Sequence, residues 1–149
     1  MRGSCYRAYI PCRELSYTVA AYLAGIIDAD GHIALYKHST GHPRLVLTVS
    51  NTNTTMLDWI SEQTGVGKRY LQAKERPKYK ATWNWVTGGP AGASVLREIR
   101  PYMIVKAERA DLAIEYDAGL QADKRDDLVW RDEQRVKMLA LNKRGPAHS

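Results

Sequence analysis

Apolar positions change their spacing early in the chain, and the change marks its first elements. Residues 17–27 are almost all apolar or small, with Val19, Leu23 and Ile26 near one helical face and Tyr22 beside them. Asp30 prolongs that face by one turn. Ala21, Ala24, Gly25 and Asp28 follow the i, i+3, i+4, i+7 spacing and form a second face of small and acidic residues. A helix that is apolar on more than one side is covered on more than one side. The large face is expected to fill this domain's core, and the small face to admit a second backbone at close range. Gly31 is expected to end the helix as a left-handed cap.

From His32 the period becomes two. His32, Ala34, Tyr36 and His38 alternate with Ile33, Leu35 and Lys37, and residues 39–43 carry turn chemistry. The return strand, residues 44–50, places Leu45, Leu47 and Val49 inward and Arg44, Val46 and Thr48 outward. A short helix is expected over residues 54–63, with Met56, Leu57 and Ile60 as its buried stripe and Asn53 or Thr54 as its cap. Gly65-Val66-Gly67 breaks it. A second hairpin pairs residues 68–74 with 80–87 around Pro77, with Ala81, Trp83 and Trp85 facing inward, and Gly88-Gly89-Pro90 closes it. Helices are expected over residues 91–100, 105–116 and 126–141.

The order is αββαββα with extra C-terminal helices. It predicts an α+β domain with a four-stranded, largely antiparallel, saddle-like sheet, helices on one face and the other face bare. Residues 17–145 read as one domain, after a poorly defined leader of residues 1–16 and before a tail of residues 146–149. By period-two counting the bare face carries His32, Ala34, Tyr36, His38, Arg44, Val46, Thr48, Lys68, Tyr70, Gln72, Lys74, Lys80, Thr82 and Asn84. That repertoire suits phosphates and base edges, although a register slip of one residue would exchange the set with the core.

Charge sharpens this picture. The formal net charge is +6 with a pI near 9.4, which favours an acidic partner. Residues 68–80 hold six basic side chains against Glu75 alone, whereas residues 108–133 hold nine acids against four bases. Cys5 and Cys12 lack zinc-ligand spacing and read as incidental thiols of a reducing compartment, cytoplasm or organelle matrix. The leader has no long apolar core, and the longest uncharged run, residues 15–27, is too short for a bilayer. Neither secretion nor a membrane partner is expected.

One run carries chemistry. Leu23-Ala24-Gly25-Ile26-Ile27-Asp28-Ala29-Asp30-Gly31 places two acids at a helix end just before a strand. A carboxylate there is a hard oxygen ligand suited to magnesium, and phosphodiester hydrolysis uses a metal to stabilise phosphoryl charge and to supply hydroxide near neutral pH. The run resembles the LAGLIDADG signature of homing endonucleases, with Ile26 in place of the motif's second Leu. The resemblance extends over residues 17–144, through Val49-Ser50-Asn51-Thr52-Asn53, Gly65-Val66-Gly67, the Trp-rich fourth strand and Pro101-Tyr102-Met103-Ile104-Val105-Lys106.

The resemblance implies a homodimer, because the chain holds one motif. Helices packed through Ala21, Ala24, Gly25 and Asp28 would set two Asp30 carboxylates side by side, one per DNA strand. It implies that Asp30 binds metal, assisted by the Ala29 carbonyl, with Asp28 as a further ligand or an interface hydrogen-bonding group. Magnesium is the implied cofactor, with manganese substituting and calcium binding without cleavage. Lys106 matches by position a lysine near the metal-bound water and the scissile phosphate, against the alternative of a surface lysine. Asn51 matches a strand-end amide of the water network, and a turn-forming Asn reads equally well. The implied substrate is long, pseudo-palindromic double-stranded DNA, cut in the course of intron mobility. Two alternatives stay open: an RNA-binding maturase acting on intron RNA, and a non-catalytic DNA-binding protein. His32, His38 and His42 lie on a hairpin without ligand spacing, so zinc is disfavoured.

Overall fold

The structure, a computed structural model, describes residues 9–39 and 41–143. Cys5, Thr40, the expected domain end at 145 and the tail lie outside the described residues. The elements are α1 (Tyr17–Asp30), β1 (Gly31–Tyr36), β2 (Arg44–Asn51), α2 (Thr54–Thr64), β3 (Lys68–Ala73), β4 (Thr82–Gly88), α3 (Gly89–Ile99), a 3-10 turn (Arg100–Tyr102), α4 (Ala107–Gln121) and α5 (Leu128–Asn142). Ser16 caps α1 by accepting the Val19 N–H, and Asn53 caps α2 by accepting that of Met56.

The four strands form one antiparallel sheet in the order β1-β2-β4-β3. Ile33, Leu35, Leu45, Leu47, Val49 and Trp85 are buried under the helices, with Ile33 opposite Leu47 and Val49 opposite Trp85. The alternate residues make the open face. His32, Thr48, Val86 and Lys68 form one row across all four strands, and Ser50, Asn84 and Tyr70 form the next. The predicted fold class and the inward and outward sets of β1 and β2 therefore hold, because a buried face fixes register.

Local details differ from the sequence reading. Gly31 is not a left-handed cap: its φ of −84° and ψ of 161° already belong to β1. Glycine is needed there for space, since a Cβ would sit 2.7 Å from the Ile27 carbonyl oxygen where the strand leaves the helix. The left-handed cap is Gly65, at φ 71°, ending α2. On α1 the buried stripe is Ala20, Leu23, Ala24 and Ile27, while Val19 and Ile26 are only half-buried. The whole helix is rotated relative to the expectation.

In β3, Leu71 pairs with Trp83 but Ala73 pairs with Thr82, so a bulge inserts one residue. Beyond it Ala73, not Gln72 or Lys74, stands opposite the open-face residue Thr82. Lys74 and Lys80 fall outside the strands. The described end of the leader is docked. Its backbone N–H groups donate from Cys12 to Ser94 Oγ (2.8 Å), from Arg13 to the Thr64 carbonyl (2.9 Å) and from Leu15 to Glu98 Oε1 (2.8 Å).

Candidate nucleic-acid interface and metal site

The C-terminal end of α1 is held by a reciprocal clamp. The Asp28 carboxylate accepts the backbone N–H of Ile104 at 2.8 Å and that of Lys106 at 3.0 Å. In return, Lys106 Nζ donates to the carbonyls of Ile27 (3.0 Å), Asp28 (2.9 Å) and Gly31 (2.7 Å). An ammonium on the last carbonyls of a helix satisfies orphan acceptors and complements the helix dipole. Burial pushes the Asp28 carboxyl up, but the Ile104, Lys106 and Val105 N–H groups and the Lys106 charge outweigh it and hold the group below the usual carboxylate range. Lys106 is held below the usual lysine value by desolvation and by Arg109, against the attraction of Asp28 and Asp30.

Asp30 stands just past this clamp. Its carboxylate is exposed, in the field of the Lys106 ammonium, and among the described residues it holds no hydrogen bond or ion pair. The carbonyls that Lys106 takes do not include that of Ala29. The fold brings the Lys106 charge to Asp30 from far along the chain. Among the described residues of one chain, no group of three His, Cys, Asp or Glu side chains could hold a metal ion.

The outward side of α1 presents Thr18, Ala21, Tyr22, Gly25 and Ala29 to solvent. A Cβ placed on Gly25 would meet nothing within 4 Å. Beside this strip, Tyr22 and Trp59 pack edge to face at 5.2 Å, and Ile104 is 85% exposed. On the open sheet face Tyr36, Arg44, Lys68 and Tyr70 are exposed. Ser50 Oγ donates to Asn84 Oδ1 at 2.5 Å. Desolvation, then the charges of Lys106 and Arg109, hold the His32 imidazole below its ordinary value, which places His32 at the meeting point of that face and the α1 terminus.

Searches of sequence-family models and of curated protein sequences find no match to the chain. Solved structures do match. The homing endonuclease I-CvuI, in complex with its target in the presence of calcium, superposes with a TM-score of 0.69 at 21% identity, covering 89% of this chain and 87% of that one. The archaeal intron-encoded homing endonuclease I-Vdi141I, complexed with DNA, gives 0.72 at 18% identity over 87% of each chain. The chain has the LAGLIDADG homing-endonuclease fold. The LAGLIDADG meganuclease I-AabMI, bound to uncleaved DNA, gives 0.62 at 15% identity, with 82% of this chain covering 42% of that one. One copy of the fold thus accounts for less than half of that larger chain.

Within this fold the site residues named from sequence fall into three groups. Asp30, Ala29, Lys106 and His32 are brought together at the α1 terminus. Ala34, Tyr36, Arg44, Val46, Thr48, Lys68, Tyr70, Thr82 and Asn84 share the open face, and His38, beyond β1, packs edge to face on Tyr36 at 4.9 Å. The third group is engaged by the chain's own fold. Ala24 is fully buried in the chain's own core and so leaves the outward strip, where Ala21 and Gly25 remain. Both Asp28 oxygens are taken by the linker, which gives Asp28 a local fastening role. Asn51 Oδ1 accepts the Asn53 N–H at 2.8 Å, which makes it a turn-former.

Sequence reasoning missed Ser50 and Val86 on the open face; strict alternation from Thr48 and Asn84 would have found both. It also missed the partners of Asp28 and Lys106, for which no local signal exists. Burial pushes the Cys12 thiol up to about 11, with Glu98 adding to the effect, so it stays protonated near neutral pH. No helix among the described residues is long and apolar enough to cross a membrane.

Proposed function

We propose that the protein is a site-specific DNA endonuclease that acts as a homodimer and hydrolyses one phosphodiester in each strand with divalent metal. The observation that carries this reading is a single exposed carboxylate, Asp30, held at the end of a helix whose outward side is small and unfilled. Among the described residues, one chain brings no group of three acidic, histidine or cysteine side chains together for a metal centre. A second α1 approaching over Ala21, Gly25 and Ala29 would bring a second Asp30 to the same place.

The donor set fits a hard cation. Asp30 offers an unpartnered carboxylate, and the Ala29 carbonyl lies outside the Lys106 clamp. Asp28 does not fit as a ligand, since both its oxygens already accept N–H groups. Magnesium, when bound, would supply an acidic water and neutralise phosphoryl charge. The chain's own part is to hold Asp30 fixed. The Lys106 ammonium also puts positive charge beside the position a scissile phosphate would take. The open sheet face, with Arg44, Lys68 and Tyr70 exposed, would cover one half-site, and the basic turn after β3 would add phosphate contacts.

The test uses wild-type protein, magnesium and a library of DNA duplexes. Wild type is expected to cut both strands of a selected site. Asp30→Asn should bind that site while cutting on the order of a thousandfold more slowly. A mixed dimer of wild type and Asp30→Asn should cut one strand much faster than the other. Binding without cutting by wild type at any site would sink the enzyme reading and favour a DNA-binding protein; binding to structured RNA in preference to DNA would favour a maturase.

A further inference from the structure

A cavity of about 190 Å³ opens between the start of β2, the start of α3, the second half of α4 and the beginning of α5. Pro43, Arg44, Gly89, Asp117, Arg125 and Arg131 are among its walls. Arg131 is only 9% exposed. Its guanidinium donates to Tyr116 Oη (3.0 Å), to the Arg125 carbonyl (2.9 Å) and to the Pro43 carbonyl (3.1 Å). All three acceptors are neutral, and a guanidinium has more donors than those bonds use. Asp117 also lines the cavity, but Arg97 Nη2 already sits 2.9 Å from its Oδ2, and Gln121 Nε2 lies 3.5 Å from its Oδ1.

A cation taken out of water without a counter-ion is costly. Among the described residues no carboxylate pairs with Arg131, and the second arginine at the rim, Arg44, is exposed. We propose that this cavity binds a phosphate-type oxyanion, seated between the buried Arg131 fork and the rim guanidinium of Arg44. The planar fork matches phosphate geometry. The space corresponds to roughly six water-sized groups, ample for a tetrahedral group with part of its hydration. Arg44 stands on the open sheet face at the start of β2, so a nucleic-acid phosphodiester passing that edge and a free phosphate share the chemistry required. This site does not depend on the cleavage reading, and its test contains no metal and, in its first arm, no DNA.

In that arm, inorganic phosphate is titrated calorimetrically into the full chain, with ionic strength held constant by chloride. Saturable binding by wild type is expected, weakened about tenfold or more by Arg44→Gln and by Arg131→Gln, and unchanged by Lys137→Gln, an exposed residue outside the cavity. Circular dichroism checks the fold of the Arg131 variant. Should it unfold, Arg131→Lys, which keeps the charge but loses the fork, takes its place and is expected to weaken binding as well. No saturable binding by wild type, or equal binding by wild type and the folded arginine variants, overturns the site. The second arm adds duplex DNA at constant ionic strength. If saturating phosphate displaces DNA and the variants lose DNA affinity in step, the site takes a backbone phosphate. If DNA binding is indifferent to phosphate, the occupant is a free phosphate species. Either result supports the site.

Discussion

The inward and outward sides of α1 differ in almost every respect, although they alternate along the same fourteen residues. Inward, Ala20, Leu23, Ala24 and Ile27 are buried, and Asp28 and Lys106 tie the helix end to the linker before α4. Outward, Ala21, Gly25, Ala29 and Asp30 are exposed and touch little of their own chain. Small residues therefore mean different things one position apart. Ala24 is small because the core is full; Gly25 is small with open space around it. The two acids divide in the same way, Asp28 fastened to the backbone before α4 and Asp30 exposed at the helix end. A glycine within a helix costs stability, so one that its own fold does not require points to a demand from outside the chain.

The contrast can be broken by substitution. The largest effect is expected from Gly25→Leu, which should weaken self-association in sedimentation on the order of a hundredfold or more, while the melting temperature of the monomer does not fall. The same change one residue earlier, Ala24→Leu, should destabilise the fold itself by about 3 kcal/mol through overpacking, read by denaturant unfolding. If the two variants behave alike, the sides of α1 have been misassigned.

Lys106→Met comes next. It leaves three carbonyls at the α1 terminus without their donor, and about 2 kcal/mol of stability should be lost after allowance for solvent access. A variant as stable as wild type would mean that the clamp does not form. Asp28→Asn should cost about 1 kcal/mol, because an amide oxygen can replace only one of the two N–H acceptors. Its unfolding midpoint should fall with cooperativity unchanged. The smallest effect carries the opposite sign. Gly25→Ala should stabilise the isolated chain by roughly 0.5 kcal/mol through helix propensity, measured at concentrations where only monomer is present. A loss of stability would show that the fold needs the glycine after all.

Much of this molecule was legible without coordinates. The shift from helical to period-two spacing at His32 located the α1–β1 junction, and alternation in β1 and β2 named the correct inward residues. Two elements resisted. In α1 apolar residues occur all round, so periodicity could not choose among nearly equivalent faces, and the chosen rotation put Ala24 outside and Ile27 unmentioned. In β3 the bulge between Leu71 and Ala73 broke the count, because alternation carries no marker of an inserted residue. The docking of the leader's described end was illegible for another reason. The bonds of Cys12, Arg13 and Leu15 use backbone N–H groups, which every residue but proline offers alike.

The amino-acid sequence alone determined the motif, the order of elements and the basic character of the open face, since each follows from residue types at fixed short spacings. Only the tertiary structure decided which acid is free. Asp28 and Asp30 are equivalent as residue types, and their roles separate when Lys106 and Ile104, remote in the chain, arrive at one carboxylate and leave the other in solvent. The same holds for Arg131, whose lack of a carboxylate partner among the described residues becomes visible once its surroundings are known. Spacing along the chain records what neighbours are; burial and distant partners decide what their charges can do.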